Sequence, residues 1–456
     1  MSKQARFEGD LFSSVSRNFF APLWAKYEGS PYLTHLKRFE KTQYADRDDM
    51  LKWQWEKLAK LFQHAVENTA FYKEKYKGCR LESLNGLGKL PLLTKDEIRS
   101  RSDDMIAKGY DKSSLFRMKT SGSTGVSLEL FMDEDSLQWK RGCTVRHDMW
   151  TGWKFGERVG AIWGNPEQFA DWRAWLRNLL LLRHIPLDTL KMDEAVMDRY
   201  HETLRRKRPT VLFGHAHSLY LFAKYCESKG YDDIRPKGII STAMVLHDFE
   251  RVVLERVFDC GVYNRYGCEE VSLIGSECDA HSGLHVNMDT LVVEVVDGEG
   301  RPLPEGEAGA IVVTDLTNMA MPVIRYKVGD VGVLSNEFCP CGRTAPLITS
   351  LQGRIADYVQ LTDGSYVSGI SLTENFHMAL PGVKQLQIVQ EELDRLTFRI
   401  VPAGTWKKED ATALDGLIRK RFGATMRYDV ELVASIQSED SGKYRFCISK
   451  LGEQPF

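Results

Sequence analysis

Ten residues in the first third of the chain, KTSGSTGVSL (119–128), combine small side chains and hydroxyls in a way that suits an anion. Small residues beside glycine let the backbone approach a ligand and turn its N–H groups toward one point, and hydroxyls add donors. The alternative is an ordinary solvent loop, which this composition also favours. A Walker loop is excluded, because Val126 stands where its lysine is needed. The other motifs must decide between the two.

Cysteine and histidine residues in two later segments could hold a metal ion. CDAHSGLH (278–285) contains one cysteine and two histidines, and CPCGR (339–343) contains a Cys-x-Cys pair followed by glycine. Three thiolates and one imidazole complete a tetrahedral structural zinc site with no open position. His281 is the competing imidazole, and free cysteines with a strand histidine are the alternative to a metal site. The predicted zinc ligands are Cys278, His285, Cys339 and Cys341.

Four further motifs follow the glycine-rich loop along the chain. They are NRYGCEEVS (264–272), VIRYKVGDVG (323–332), LQGRIADY (351–358) and SGKYRF (441–446). With the loop and the earlier phrases TAFYKEKYKG and LPLLTKDEIR, they make the chain resemble the adenylate-forming superfamily of acyl-CoA synthetases. The resemblance is to its phenylacetate–CoA ligase branch and relatives from capsule-polysaccharide gene clusters, and it runs from about residue 50 to the C-terminus. Five motifs in the right order are far more specific than one.

The resemblance implies an ATP site built around the loop and the Tyr-Gly-x-x-Glu segment. Tyr266 would stack on adenine beside Gly267, and Glu270 would help to hold Mg²⁺ against the phosphates. A carboxylate suits that position because reaction at the α-phosphate needs charge neutralisation. The alternative for this segment is a surface turn with acidic residues. The residues that would hold the β- and γ-phosphates are Ser121, Gly122, Ser123, Thr124 and Gly125.

The resemblance also implies roles for the later motifs. Asp330 would accept hydrogen bonds from both ribose hydroxyls, since a carboxylate offers acceptors to two donors. Arg354 would reach the ribose or a phosphate, or else form a salt bridge in a linker. Asp357 would be the hinge of a mobile C-terminal domain. Lys443, directly after Gly442, would be the catalytic cation that stabilises charge passing to pyrophosphate, the alternative being a solvated surface lysine.

Two positions bear on the acyl pocket. In STAMVLHD (241–248), Met244 stands where relatives often carry a glutamate, so we expect an altered contact or a different substrate. His215 and His217 follow the apolar run TVLFG, where the carboxyl end of a strand would place them near a ligand. They either line the acyl pocket or belong to a helix N-terminus.

The elements that must position these motifs begin with a helical region from about residue 11 to 115. Its main helix is predicted to bury a stripe of apolar residues at helical spacing. Further on, Thr94 and Glu97 form the sequence signature of a capping box. The residues of the stripe are Leu51, Trp55, Leu58, Leu61 and Phe62.

Beyond residue 118, short apolar runs alternate with amphipathic stretches and predict an α/β architecture with mixed sheets and helices. The turn DGEGRPLPEG predicts a hairpin between runs 284–297 and 309–316. We expect a large N-terminal ATP- and acyl-binding domain (1–355) and a small mobile α+β C-terminal domain (356–456). The predicted buried strands are 159–164, 210–214 and 237–242, and the predicted C-terminal helix is 410–423.

Composition narrows the class of protein. The chain has 456 residues, a net charge of −2 and 43% hydrophobic residues, enough for a large core and without a charge pattern that suits nucleic acid or a membrane surface. No apolar run approaches the roughly 20 residues that span a bilayer, and the polar N-terminus does not read as a signal peptide. Nine cysteines without a regular framework favour a reduced, cytoplasmic protein.

Three hypotheses follow for function. The first is an ATP- and Mg²⁺-dependent carboxylate ligase that forms an acyl-AMP from a small-molecule acid, releases pyrophosphate and transfers the acyl group to coenzyme A. The second keeps the first step but transfers the acyl group to an amine or hydroxyl acceptor, as on a sugar or amino acid. The third is a nucleotide-binding protein without activity. The resemblance also leaves a homodimer as an expectation.

Overall fold

The computed structural model describes most of the chain. Up to residue 352 it describes 5–120, 128–163, 171–189, 192–244 and 246–352. In the C-terminal region it describes 358–363, 366–368, 372, 376, 380, 382–402, 404, 406–436 and 446–451.

Helices form most of the first 105 described residues and then alternate with strands. The α-helices are α1 (Leu11–Val15), α2 (Ala21–Glu28), α3 (Tyr32–Thr42), α4 (Arg47–Asn68), α5 (Ala70–Lys75), α6 (Lys95–Met105), α7 (Glu134–Met149), α8 (Trp172–Arg177), α9 (Glu194–Lys207), α10 (Ala216–Lys229), α11 (Asp248–Phe258) and α12 (Lys408–Phe422). Single π-helical turns cover Ser16–Phe20 and Asn178–Leu182, and 3₁₀ turns cover Leu84–Lys89 and Lys112–Ser114. No described helix is long and apolar enough to cross a bilayer.

The strands fall into one large sheet and three small ones among the described residues. They are β1 (Phe116–Thr120), β2 (Leu128–Met132), β3 (Val159–Ile162), β4 (His184–Leu187), β5 (Val211–His215), β6 (Gly238–Thr242), β7 (Gly261–Cys268), β8 (Ser272–Glu277), β9 (Leu284–Val286), β10 (Leu291–Val296), β11 (Ala308–Asp315), β12 (Tyr326–Ser335), β13 (Leu347–Gln352), β14 (Tyr358–Gln360), β15 (Tyr366–Ser368), β16 (Val383–Glu392), β17 (Arg395–Pro402), β18 (Arg427–Leu432) and β19 (Cys447–Ser449).

Helix α4 shows where the periodicity prediction was right and where it was wrong. Leu58 and Leu61 are buried as predicted, but Leu51 is exposed. The buried face is shifted toward Gln54, whose side-chain amide donates to the carbonyls of Leu291 and Met288 at 2.7 and 3.2 Å. A polar residue can occupy this face because the ends of β10 and its preceding turn offer it acceptors. The predicted capping box at Thr94 is confirmed.

The large sheet has a parallel and an antiparallel half that meet at β7. Its order is β10-β11-β12-β13-β9-β8-β7-β6-β5-β3-β4. Strands β3 to β7 pair in parallel, as the alternation of strands and helices predicts, and β7 to β13 pair antiparallel, including the predicted β10–β11 hairpin. The first half of β7 pairs with β6 and its second half with β8. The change of direction therefore falls inside one strand.

Each part of the fold has its own core. Helices α9 to α11 cover the parallel half, and α4 to α6 pack with the antiparallel half. In the C-terminal region, β18-β17-β16-β19 form a four-stranded sheet that packs with α12, and this third core contains no residue before Val359. The predicted α/β fold with a separate α+β C-terminal part is thus confirmed. The domain boundary near Asp357 lies outside the described residues and stays a prediction.

Candidate active site and cysteine cluster

The middle of β7 carries the predicted adenine-stacking residue. Tyr266 is 8% exposed and lies at the register shift in the β7–β8 pairing, where the sheet changes from parallel to antiparallel. A Cβ atom at Gly267 would lie 2.6 Å from the carbonyl oxygen of Ser272, so only glycine fits there. The Tyr-Gly pair is therefore fixed by the backbone geometry of the switch strand, at the kind of position where α/β sheets bind ligands.

Strand β12 brings two polar residues to the same face as Tyr266. Alternation along the strand puts Tyr326 and Asp330 on its buried side. The Tyr266 hydroxyl donates to Asp330 Oδ2 at 2.9 Å, and the Tyr326 hydroxyl donates to Glu270 Oε1 at 2.6 Å. Both carboxylates are buried, at 7% and 4% exposed. The structure thus brings Tyr266, Glu270 and Asp330 into one site, called here the tyrosine–carboxylate site.

Tyr326 was missed as a site residue although it stands inside the quoted RYKVGD motif. Its alternation with Asp330 was the available signal, since residues two and four apart on a strand share a face. Its hydroxyl occupies one oxygen of Glu270, which leaves the carboxylate with further acceptor capacity for a cation. Burial raises the pKa of the neighbouring Cys268 thiol well above its usual range, and the charge of Glu270 adds to that rise. A divalent cation at Glu270 would offset this buried negative charge.

Several predicted site residues lie outside the described residues. Strands β1 and β2 pair up to Thr120 and Leu128, so the glycine-rich stretch is the connection between two paired strands. The catalytic, ribose-binding and hinge assignments at Lys443, Arg354 and Asp357 stay predictions. So do the phosphate-binding assignments at Ser121, Gly122, Ser123, Thr124 and Gly125.

A cavity of about 840 Å³ lies beside β7, and its lining includes neither Tyr266 nor Glu270 nor Asp330. Its walls include Arg265 and Ser272, which flank the Tyr266–Glu270 segment, and Met118 and Met132 from the strands joined by the glycine-rich stretch. The volume is near the upper end of the roughly 300–1,000 Å³ that small-molecule sites occupy. Most of the remaining lining is apolar: Phe116, Leu137, Val145, Trp153, Phe155, Val159, Leu181, Leu182, Val211, Phe213 and Ile240.

Two ion pairs stand at the cavity wall. Lys140 on α7 lies 2.6 Å from Asp315 at the end of β11, and both side chains are at most 4% exposed. Asp315 also accepts a hydrogen bond from the Thr317 hydroxyl at 2.7 Å. Arg265 pairs with Asp148 at 2.6 Å. No local motif in the sequence marks these residues, because each pair joins a helix to a distant strand.

Neither of the two histidines expected near the acyl pocket lines the 840 Å³ cavity. His217 lies 2.7 Å from Glu250 at the start of α11, which agrees with the helix N-terminus interpretation. His215 is buried against the Trp163 ring, with centroids 4.0 Å apart, and does not line the cavity. Met244 packs against the core of the parallel half. It therefore fills apolar space where a glutamate would have introduced a charge.

The four predicted metal ligands form a compact group, called here the cysteine cluster. The ligand atoms of Cys278, His285, Cys339 and Cys341 all lie within 4.8 Å of one another. Cys278 Sγ lies 3.6 Å from Cys339 Sγ, and Cys341 Sγ lies 3.4 Å from His285 Nε2. His281 instead contacts Glu277 at 3.3 Å and is not among the four. The donor set and its burial fit a structural metal ion.

Sheet pairing explains how distant residues reach this cluster. Cys278 follows the end of β8, and His285 on β9 pairs with Leu347 on β13. The turn before β13 carries the other two thiols, and Gly342 in that turn has φ 82°, a left-handed conformation that glycine adopts without strain. The cluster therefore joins the β8–β9 turn to the β12–β13 connection.

Charge effects at the cluster act on metal binding in both directions near neutral pH. Burial lowers the pKa of His285 to about 4, so the imidazole is neutral at pH 7 and can act as a ligand. Burial raises the pKa of the Cys278 thiol to about 12. Hydrogen bonds from Arg343 outweigh burial at Cys341 and lower the pKa of that thiol. Without a cation, the buried thiols of the cluster could not all ionise.

Comparisons with known proteins agree with this architecture. The CapK C-terminal domain family matches residues 359–450. Protein CapK of Staphylococcus aureus is 24% identical over 98% of this chain and 97% of its own length. A phenylacetate-coenzyme A ligase of Thermus thermophilus is 42% identical over 21% of this chain and 22% of its own length.

A solved structure shares the fold over most of both chains. The structure of 2-hydroxyisobutyryl-CoA ligase in complex with 2-HIB-AMP and CoA matches with a TM-score of 0.61 and 19% identity. The match covers 89% of this chain and 91% of that one. At this identity the likeness establishes the fold.

Proposed function

We propose that this chain is a member of the adenylate-forming, phenylacetate–CoA ligase-like family. We propose further that it activates a carboxylic acid as an acyl-adenylate and transfers the acyl group to coenzyme A. The protein is an AMP-forming ligase, and the identity of its two organic substrates is the part that we propose. Adenylate formation accounts for all five sequence motifs.

The tyrosine–carboxylate site carries this proposal. Tyr266 offers an aromatic face for a base, Asp330 offers acceptors for a diol, and Glu270 offers a carboxylate for Mg²⁺. These are the three requirements for holding ATP by its adenine, ribose and phosphates. The two tyrosine hydroxyls fix both carboxylates before the nucleotide arrives, so less ordering is needed when it binds.

The first step that we propose is in-line displacement at phosphorus. A carboxylate oxygen of the acid attacks the α-phosphorus of ATP, and the bond from that phosphorus to the bridging oxygen breaks with release of pyrophosphate. Mg²⁺ neutralises phosphate charge when bound, and Glu270 would hold it. Lys443 would stabilise the departing pyrophosphate. Catalysis would thus be mainly positioning and charge stabilisation.

In the second step the thiol of coenzyme A attacks the acyl carbon. The bond from that carbon to the AMP oxygen breaks, AMP leaves with the electron pair, and the thiol proton passes to solvent. The cavity beside Arg265 and Ser272 would hold the acid during both steps, because it touches the elements on each side of the proposed phosphate site.

The cysteine cluster supports a second part of the proposal, a structural Zn²⁺ ion. Four protein ligands leave no position for substrate, so the ion would stabilise the fold and take no part in the chemistry. It would fix the connection between β12 and β13 against the turn after β8. Both segments adjoin strands that carry the tyrosine–carboxylate site.

ATP–pyrophosphate exchange tests adenylation. Purified protein with Mg²⁺ is assayed for exchange across a panel of aryl, alkyl, sugar and amino acids. We expect acid-dependent incorporation of labelled pyrophosphate into ATP. Hydrolysis of ATP without exchange, at acid concentrations that saturate binding, would contradict the proposal.

The acceptor is tested separately with the acid that supports exchange. We expect coenzyme A to be consumed and an acyl-CoA to appear by mass spectrometry. Formation of an amide or ester with added amines or alcohols, and no thioester, would replace the second step while leaving the first intact.

A further inference from the structure

Three buried hydrogen-bond donors at one side of the cavity have no partner among the described residues. They are the hydroxyl of Tyr32, Nη2 of Arg141 and Nε of Arg177. Buried polar groups of folded proteins are nearly always paired, so a group of unpaired donors asks for an explanation. Arg141 and Arg177 both line the cavity, and Tyr32 is only 1% exposed.

The three donors come from separate elements that converge. Arg141 lies on the face of α7 that also turns Lys140, Thr144 and Val145 toward the cavity, and its guanidinium lies 3.8 Å from the Tyr32 ring centroid. Arg177 is the last residue of α8. Burial lowers the pKa of Arg141, and the charge of Arg177 lowers it further, which places the two guanidiniums near each other.

Two carboxylates, Glu28 and Glu134, lie near Arg141, but among the described residues neither forms a hydrogen bond with a guanidinium of the pair. Glu28 approaches Arg141 to 3.8 Å, beyond hydrogen-bond distance, and its carboxylate already accepts from Trp24 Nε1 at 2.6 Å. Glu134, which also lines the cavity, accepts from Gln138 at 2.7 Å. Like charges held together beside an apolar cavity are unfavourable unless an anion joins them. A bound anion would satisfy the free donors and offset the repulsion.

We infer that the acid activated by this protein is bulky and largely apolar and carries a second anionic group, which Arg141 and Arg177 bind. The inference rests on the proposed function, because it assigns the cavity to the acid. The reacting carboxylate faces the tyrosine–carboxylate site, and the second group sits between the arginines. A planar guanidinium pairs with a carboxylate, sulfonate or phosphate through two parallel hydrogen bonds.

The volume and the lining of the cavity favour such a substrate over a small aryl acid. At about 840 Å³ it is far larger than a single-ring acid requires, and its long wall is built from apolar side chains. A substrate that reached only the Arg265 side would leave the arginine side unfilled. Dicarboxylic acids with an extended apolar spacer fit both the volume and the charges.

Matched pairs of acids test the inference. ATP–pyrophosphate exchange is measured with α,ω-dicarboxylic acids and with monocarboxylic acids of equal chain length, at several lengths. For at least one length we expect the diacid to have a kcat/KM roughly 10- to 100-fold higher, as expected for hydrogen bonds to a charged group. Equal or higher values for monoacids at all lengths would overturn the inference and leave the proposed function standing.

Substitution of one arginine locates the effect. Arg177→Gln should lower kcat/KM for the diacid roughly 10- to 100-fold and so remove its preference over the monoacid of equal length. Arg173→Gln, on the exposed side of the same helix, is the matched control and should leave both unchanged. A preference that survives Arg177→Gln and Arg141→Gln would overturn the assignment of these residues.

Direct binding separates failure of the inference from failure of the proposed function. Binding of the acids is followed by intrinsic fluorescence without ATP, since Trp153 lines the cavity. Diacid binding that Arg177→Gln weakens, without exchange in any assay, would refute ligase activity and support the anion site. If the diacid binds no more tightly than the monoacid, or if Arg177→Gln changes only the KM for coenzyme A, the inference fails.

Discussion

The tyrosine–carboxylate site and the cysteine cluster lie on neighbouring strands but differ in how their side chains are arranged. Both depend on the antiparallel half of the sheet, with Tyr266 on β7 and His285 on β9. The four side chains of the cysteine cluster come from 278–285 and 339–341 and would leave a bound ion no free position. The tyrosine–carboxylate site pairs its residues two by two, and a large cavity lies beside the same strand, β7.

The difference indicates what each site is for. A closed set of thiols and imidazole can only bind an ion and stabilise the segments that supply it. A site with preset carboxylates beside a cavity can exchange ligands. We therefore expect substitutions in the cysteine cluster to affect stability and metal content. Substitutions in the tyrosine–carboxylate site should affect turnover.

The largest effect is expected at Glu270. Glu270→Gln keeps an acceptor for the Tyr326 hydroxyl but removes the charge proposed to hold Mg²⁺, so kcat for adenylation should fall by about 10²–10³ with the unfolding temperature unchanged. Exchange kinetics and thermal unfolding measure the two quantities. Glu269→Gln, at the adjacent carboxylate, is the control. Comparable loss in both variants would show that Glu270 has no special role.

A substitution in the cysteine cluster is expected to lower metal content and stability. Cys341→Ser should reduce bound zinc from about one equivalent to below roughly a tenth and destabilise the fold by about 2 kcal/mol or more, since metal binding couples to folding. Cys79→Ser, another partly buried cysteine, is the matched control. Metal analysis and urea unfolding provide the readouts. Unchanged zinc content in Cys341→Ser would contradict the assignment.

Asp330 and Tyr266 should show a smaller effect on nucleotide binding. Asp330→Asn should raise the KM for ATP roughly tenfold, because an amide accepts the ribose hydrogen bonds less strongly than a carboxylate. Tyr266→Phe removes the hydroxyl with its 2.9 Å hydrogen bond to Asp330 and should raise this KM about threefold. A change in the KM for the acid, with that for ATP unaltered, would reassign both residues.

A fall in pH should lower the free energy of unfolding of the metal-free protein by a small amount. Burial lowers the pKa of His285 to about 4 from an ordinary 6.5, so the unfolded chain takes up a proton first as the pH falls. The stabilisation that the neutral His285 imidazole contributes is complete well above pH 6.5, and it is lost progressively as the pH falls toward 4. Between pH 7.5 and 5.5 the loss is about 1.4 kcal/mol.

Urea unfolding of chelator-treated protein at the two pH values checks this prediction. The comparison with His285→Gln isolates the contribution of the imidazole, since the variant lacks the titrating group. An equal loss of stability in both proteins would show that other groups cause the pH dependence.

Local signals predicted the parts of the molecule that depend on neighbours in sequence. The strands, the Thr94 capping box and the helical N-terminal region follow from periodicity and end signals. The family resemblance follows from motif order, and the comparisons agree with it. Leu51 was misplaced because apolar spacing cannot show that Gln54 finds backbone acceptors across the core. The sequence could not reveal pairs such as Lys140–Asp315, which form only when α7 packs against β11.

The candidate site divides in the same way. Cysteine chemistry identified the four residues of the cluster, because few residue types can bind zinc. Motifs identified Tyr266, Glu270 and Asp330, but not Tyr326, which supports Glu270 from a strand far along the chain. The free donors of Arg141 and Arg177 have no sequence signature, since only the packing around them leaves them unpaired.

The fate of ATP tests the central claim most directly. ATP labelled at the α-phosphate is incubated with enzyme, Mg²⁺, the acid that supports exchange and coenzyme A, and the labelled products are separated. We predict labelled AMP in a one-to-one ratio with the acyl product, and labelled acyl-AMP when coenzyme A is omitted. Labelled ADP as the product would mean an acyl-phosphate mechanism and would contradict adenylation at the tyrosine–carboxylate site.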